Sequence, residues 1–116
     1  MSISFRNYAL DQLRRHRSDI RDRSMFGGVG IYAGDPFFAL IADGTLYFKV
    51  DDSTRPAYEE RGLLPFRPAG PDGETMQYYE VPADVLEDAD RLGPWADAAI
   101  AVAHRKRTAK VRKRGA

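Results

Sequence analysis

The sequence contains no cysteine and only two histidines. Disulfides, thiolate metal sites and a cysteine nucleophile are excluded, and an intracellular location is the simplest expectation for such a chain. His16 and His104 have no third nitrogen or sulfur donor near either in sequence, so a metal centre is not expected. Long apolar runs are missing too. The longest, Phe37 to Ala42, is far too short to cross a bilayer, and the N-terminal stretch lacks the apolar core of a signal peptide. The expectation is a soluble cytoplasmic protein without membrane contact. GxGxxG, GK[ST] and GxSxG are all absent, which removes the usual nucleotide cradles and the serine-hydrolase elbow.

What is present is one domain's worth of chain, 116 residues, with a formal charge of +1 that conceals a segregation. Seven of the 18 basic residues, Arg105, Lys106, Arg107, Lys110, Arg112, Lys113 and Arg114, fall in one short stretch without an acid. The remaining 11 face 17 acidic residues, so the body carries about −6. The sequence therefore divides into an α+β domain over residues 1–104 and a basic, disordered tail over 105–116. Seven cations in sequence can neutralise phosphates but carry no base specificity, which makes the tail a candidate for nonspecific nucleic-acid contact or a solvated solubility tail.

Apolar periodicity predicts the elements. Phe5, Ala9 and Leu13 recur at helical spacing, with Leu10 beside them, so a first helix is expected over residues 3–17, followed by a charged connection, 18–24, anchored by Ile20. Met25 to Val50 reads as three consecutive strands. Asp43-Gly44 is the signal for a tight hairpin between the second and third, and Pro36 occupies the earlier turn. Val29 and Ile31, Phe38 and Leu40, and Leu46, Phe48 and Val50 are expected on one face, with Tyr47 and Lys49 on the other. Yet Phe37, Ala39 and Ile41 leave the middle strand apolar on both faces, so one face needs cover or is a contact surface.

Beyond Val50, a short helix over 52–61 is expected to end at Gly62, then a brief edge strand over 63–67 restricted by Pro65, a loop, and a strand over 75–81. A helical segment from Pro82 is expected to be interrupted at Gly93-Pro94 and to restart at Trp95, which supplies most of the last helix's apolar area. The order is helix, three strands, helix, two strands, then one or two helices: a two-layer α+β domain with one antiparallel sheet of about five strands.

Gly27, Gly28 and Gly30 precede more strand instead of a helix, so they read as structural, as do Gly44, Gly62 and Trp95. The acid clusters Asp51-Asp52 and Glu87-Asp88-Asp90 flank helix starts, where carboxylates cap or face solvent. No catalytic residue, cofactor or small-molecule substrate is expected. Phe37, Ile41, Tyr47, Tyr78 and Tyr79 are the candidates for a protein interface, with Tyr32 able to extend it, and Tyr78 and Tyr79 on opposite faces of their strand.

Several stretches in order resemble a known family. They are Met25-Phe26-Gly27-Gly28-Val29-Gly30-Ile31-Tyr32, Phe38-Ala39-Leu40-Ile41, Leu46-Tyr47-Phe48-Lys49-Val50, Pro65-Phe66, Met76-Gln77-Tyr78-Tyr79-Glu80-Val81-Pro82, and Leu92 to Trp95. Together they resemble the N-terminal domain of the TfoX/Sxy proteins, which are associated with regulation of DNA-uptake competence. The resemblance implies an α+β fold similar to secretion-chaperone domains and a regulatory or protein-binding role without catalysis. It also implies likeness to the short, stand-alone members, with a basic tail where the longer regulators have a second domain. The leading expectation is a non-enzymatic regulatory or interaction protein that binds itself or another protein. The alternatives are a nucleic-acid-associated protein working through its tail and, last, a small enzyme with an unrecognised acid/base site.

Overall fold

The computed structural model describes the backbone of residues 2–25, 27–70 and 72–115 and the side chains of those between 5 and 107. Helix α1 spans Ser2–His16. Five antiparallel strands lie side by side in chain order: β1 (Ile20–Met25), β2 (Gly28–Ala33), β3 (Phe37–Ala42), β4 (Thr45–Lys49) and β5 (Tyr78–Glu80). Helix α2 (Arg55–Glu59) sits in the long connection between β4 and β5, and α3 (Ala83–Leu86) and α4 (Ala89–Gly115) follow. The result is a two-layer α+β domain with one antiparallel sheet, α1 and α4 lying together on one face.

The five strands are not the five expected. Residues 20–25 form β1 instead of a connection, pairing with β2 from Ile20↔Ala33 to Met25↔Gly28. Most of β1 is polar, which hid it. Arg6 of α1 explains how a polar strand can face a helix: its guanidinium donates to the Ser24 hydroxyl and pairs with the Asp22 carboxylate. Residues 63–67, expected as a strand, shrink to the single bridge Pro65↔Tyr79. Proline has no donor there, and the segment is held instead by the flanking Phe66 N–H to Tyr78 carbonyl (2.8 Å), Glu80 N–H to Leu64 carbonyl (3.0 Å) and Met76 N–H to Phe66 carbonyl (2.9 Å) bonds.

The helix break also moves. It falls at Glu87-Asp88, where the Asp88 carboxylate accepts from the N–H groups of Asp90 (3.0 Å) and Arg91 (3.3 Å) and starts α4. Gly93 and Pro94 lie inside α4. A Cβ on Gly93 would come within 2.8 Å of the His16 ring, so glycine here lets α1 and α4 approach. The division expected after residue 104 falls within α4, and Arg105 is bound to Asp51 at 2.7 Å. The Asp43-Gly44 hairpin forms as expected, Ala42 opposite Thr45 with φ of 50° and 68° at the two turn residues.

A register shift resolves the two-faced middle strand. Ile31 pairs with Ala39, but the next residue, Tyr32, pairs with Phe37, leaving Phe38 as the extra residue of a bulge. Ala39 and Ile41 therefore face the helices with Val29, Ile31, Leu46 and Phe48, and Phe38 turns the same way, its ring 5.8 Å from that of Phe48. Phe37 and Leu40 face the other side, contrary to the expected grouping of Phe38 with Leu40. Trp95 is half-buried, edge-on to Tyr58 at 4.9 Å, and the fully buried anchors are Phe38, Phe48, Leu13 and Leu92.

The bulge makes adjacent phenylalanines unequal. Phe38→Ala should cost about 3–5 kcal/mol in urea unfolding, and Phe37→Ala only about 1–2 kcal/mol because its ring is partly exposed. Equal losses would show that both rings serve the core.

Candidate functional site: the open sheet face

Among the described residues, no helix lies over one face of the sheet. Strand pairing sets its side chains in rows across the strands. The first row is made of the paired residues Arg21, Tyr32 and Phe37 and the pair Lys49 and Tyr78, its two parts joined by the Phe37–Tyr78 ring contact. In the second, Arg23 faces Gly30, Leu40 faces Tyr47, and Tyr47 faces Glu80. The rings touch: Tyr32 and Phe37 are 5.1 Å apart between centroids, Phe37 and Tyr78 6.0 Å, and Tyr47 and Phe66 4.9 Å. Phe66 reaches the face from the bridged segment beside β5.

Cations sit on this aromatic surface. The Arg21 guanidinium lies 5.6 Å from the Tyr32 centroid and is oriented by donating to the Gly34 carbonyl at 2.8 Å. The Lys49 ammonium is 5.4 Å from the Tyr78 ring. Burial first, and then the positive charge of Lys106, hold the Lys49 pKa below its ordinary value. Burial, with the neighbouring Tyr32, pushes Tyr78 up to about 12. Burial, with Glu80 beside it, raises Tyr47. Lys49 and Phe37 also line a shallow cleft of about 410 Å³, completed by Asp35, Pro36, Ala103, Lys106 and Arg107.

The glycine-rich stretch builds this face. A Cβ on Gly28 would sit 2.6 Å from the Ile41 carbonyl oxygen, and one on Gly30 would sit 2.6 Å from Met25 Cε and 3.3 Å from the Phe37 ring. Gly28 thus lets β2 and β3 pair closely, and Gly30 leaves room for Met25 and Phe37 to cross the sheet. Gly27 lies in the β1–β2 turn, and Gly62 ends α2, where the Leu63 N–H reaches back to the Tyr58 carbonyl at 3.1 Å.

Of the expected interface residues, Phe37, Tyr47 and Tyr78 share the open face. Ile41 (5% exposed) and Tyr79 (8%) belong to the core on the helix side, because Ile41 pairs with Val29 and Tyr79 with Phe48. Arg21, Lys49, Leu64 and Phe66 complete the surface and were not singled out from sequence; for Lys49, alternation with Tyr47 was the available signal. Among the basic candidates, Arg105 is committed to Asp51, and Lys106 and Arg107 flank the cleft. Lys110, Arg112, Lys113 and Arg114 fall on α4 with side chains outside the described residues.

The acidic clusters have structural partners. The Asp51 carboxylate accepts from the Ser53 N–H (2.9 Å) and hydroxyl (2.6 Å) and from Arg105, Asp52 pairs with Arg55, and Asp88 starts α4. His16 is 2.9 Å from Asp97. Among the described residues no three His, Cys, Asp or Glu side chains gather where they could hold a metal ion, nor is any helix long and apolar enough to cross a membrane.

Comparison with known proteins matches residues 11–103, most of the chain and all five strands, to the TfoX N-terminal domain. The chain belongs to the TfoX N-terminal domain family. It is also 42% identical over 45 residues to the DNA transformation protein TfoX1 of Aliivibrio fischeri, a match covering 39% of this chain and 22% of that protein. As a member of this family it is a non-enzymatic regulatory domain.

The Asp51 cluster generates a test. The Ser53 hydroxyl, then Arg105, hold the Asp51 pKa at about 2, below its ordinary 3.8. A depressed carboxylate pKa contributes stability that is complete above the ordinary value and is lost as pH falls through about 2. With Arg105 half-exposed and screened by solvent, the contribution is about 1 kcal/mol. Asp51→Asn should therefore lower the thermal midpoint at neutral pH, with the gap from the parent closing as pH drops from about 4 towards 2. A gap independent of pH would show that packing, and not charge, is what the substitution disturbs.

Proposed function

We propose that this chain is a regulatory binding module, linked to DNA transformation, whose working surface is the open face of the sheet. The observation that carries this reading is the asymmetry of cover. The helix face is filled by α1 and α4, while the opposite face carries four partly exposed aromatic rings, Tyr32, Phe37, Tyr47 and Phe66, with Tyr78 buried beneath Phe37 and Lys49 and no helix of the described chain over them. Half-buried rings with a polar margin are the composition of a recognition surface. The link to transformation rests on family membership and on the name of the Aliivibrio fischeri relative; the chain spans about a fifth of that protein's length in the matched region. A sheet with helices on one side and a free opposite face is also the architecture we associate with the secretion-chaperone likeness.

A second observation supports a protein contact at the β5 margin of this surface, beside the aromatic row. Leu64 is 67% exposed and Met76 44% exposed, and both flank Phe66, Met76 through its N–H bond to the Phe66 carbonyl (2.9 Å). They extend the aromatic surface past β5. Self-association by direct apposition of the face is disfavoured, since Arg21, Arg23 and Lys49 would meet their own copies. Cytoplasmic location and the absence of membrane contact are part of the same reading, supported by the chain's composition.

The reading is tested by deleting the gene in its source strain and measuring transformation frequency after complementation. The parent chain should restore the frequency, and the Phe37→Ala/Tyr47→Ala chain, expressed at equal level, should not. Full restoration by the double variant would remove the open face as the working surface.

A further inference from the structure

The open face has a chemical polarity that its aromatic content alone does not reveal. Across its first row, cations stand beside rings: Arg21 against Tyr32 and Lys49 against Tyr78, with Phe37 between the two pairs. At ordinary strand spacing this row is roughly 19 Å long. Arg23 lies in the next row, and Lys106 and Arg107 stand at the end where α4 passes Phe37 and Lys49. The acids nearby are Asp35, 4.0 Å from Arg107 and itself mostly exposed, Glu80 and Asp43 near Tyr47, and, on the far side of Lys106, Asp51 and Asp52, which are held by Arg105 and Arg55. Although the body of the chain is acidic, about half of its carboxylates lie around α2, α3 and the start of α4.

Lys49 is the most telling member. Its ammonium is half-withdrawn from water and next to a second cation, Lys106, and no carboxylate pairs with it among the described residues. An anion between Lys49 and Lys106 would relieve both the desolvation and the repulsion. The cleft of about 410 Å³ between β3, β4 and α4 opens at this point, with Phe37 and Pro36 on its wall. Anionic groups and flat rings are thus called for within one row.

We propose that the row Arg21–Tyr32–Phe37–Lys49–Tyr78, with Lys106 and Arg107 at its end, is a contact surface for single-stranded nucleic acid. The cations take phosphates, and the partly exposed rings of Tyr32 and Phe37 take unpaired bases by stacking, with the buried Tyr78 supporting Phe37 and Lys49 from below; a duplex with its bases enclosed cannot offer this. The surface carries few side chains suited to reading base edges, so binding is tolerant of sequence. This proposal rests on the open face being the working surface and adds the chemistry of what docks there.

The test is fluorescence anisotropy of the full chain with a labelled oligothymidylate of about 12 nucleotides, and with a duplex of equal length, across a salt series. The single strand should bind more tightly than the duplex. Phe37→Leu keeps an apolar filler but removes the π face, and should weaken the single strand about tenfold while leaving the duplex unchanged. Lys49→Gln should reduce the slope of log affinity against log salt by about 0.7. Changing Lys110, Arg112, Lys113 and Arg114 together to Gln should weaken both probes and preserve the preference for the single strand. No binding, equal affinity for the two probes, or an unchanged single-strand affinity in Phe37→Leu would overturn the proposal. So would displacement of the oligonucleotide by a polyglutamate peptide at matched charge, which would assign the row to acidic protein segments. If oligonucleotide binding fails while the complementation variants still lose function, nucleic acid is excluded and the open face stands; if complementation is intact as well, the face itself falls.

Discussion

A sheet with helices on only one side must sort every apolar side chain towards or away from them, and β3 is where that sorting is decided. Its sequence, Phe37 to Ala42, offers apolar groups at all six positions. Strict alternation would place Phe38 opposite the face taken by Ala39 and Ile41. The bulge at Phe38 instead sends both Phe38 and Ala39 to the helix side and leaves Phe37 with Tyr32. One extra residue in the ladder therefore supplies the core with a large ring and the opposite surface with another. The packing of α4 over Phe48 and the aromatic contacts of the open face both follow from this register.

Charge then holds the helices to the sheet where apolar area is thin. Arg6 and Arg14 of α1 converge on Asp22, and His16 and Arg17 on Asp97 of α4. Arg61 and Arg91 share Asp84, and Arg105 ties α4 to Asp51 beside α2. Each pair is partly exposed and worth little alone. Their value is in position: most join elements remote in sequence, so they fix the angle at which a helix of small residues, Ala96, Ala99 and Ala103, lies on the strands. Of the 17 acidic residues, four, Asp22, Asp51, Asp84 and Asp97, are engaged in these ties.

Much of this was legible in the residues. The Asp43-Gly44 turn, the Phe5/Leu13 helix face, the Gly62 stop and the opposite orientation of Tyr78 and Tyr79 are local consequences of backbone preference and periodicity. What sequence did not reveal depends on partners far along the chain. β1 is polar because Arg6 satisfies Asp22 and Ser24, a relation across residues with no local pattern. The bulge leaves the apolar pattern of β3 unchanged while altering its meaning, so Ile41 was grouped with Phe37 although they face apart. Gly93-Pro94 looked like an interruption, but the stronger cap at Asp88 starts the helix earlier, and Gly93 serves the His16 contact.

The attachment of α4 at Asp51 has a further meaning. With its start held at Asp97 against α1 and its later turns held by Arg105, this helix delivers Lys106 and Arg107 to one fixed place beside Phe37. The basic residues that follow in sequence, Lys110 to Arg114, depart from that same anchored point. On the proposed reading, a polyanion caught by them would be tethered next to the sheet, and its encounter with the aromatic row would be an intramolecular event governed by effective concentration instead of by bulk concentration. Weak, nonspecific capture and a modest surface can then act together as one bivalent receptor, with Arg105 as the hinge pin that keeps the two halves within reach.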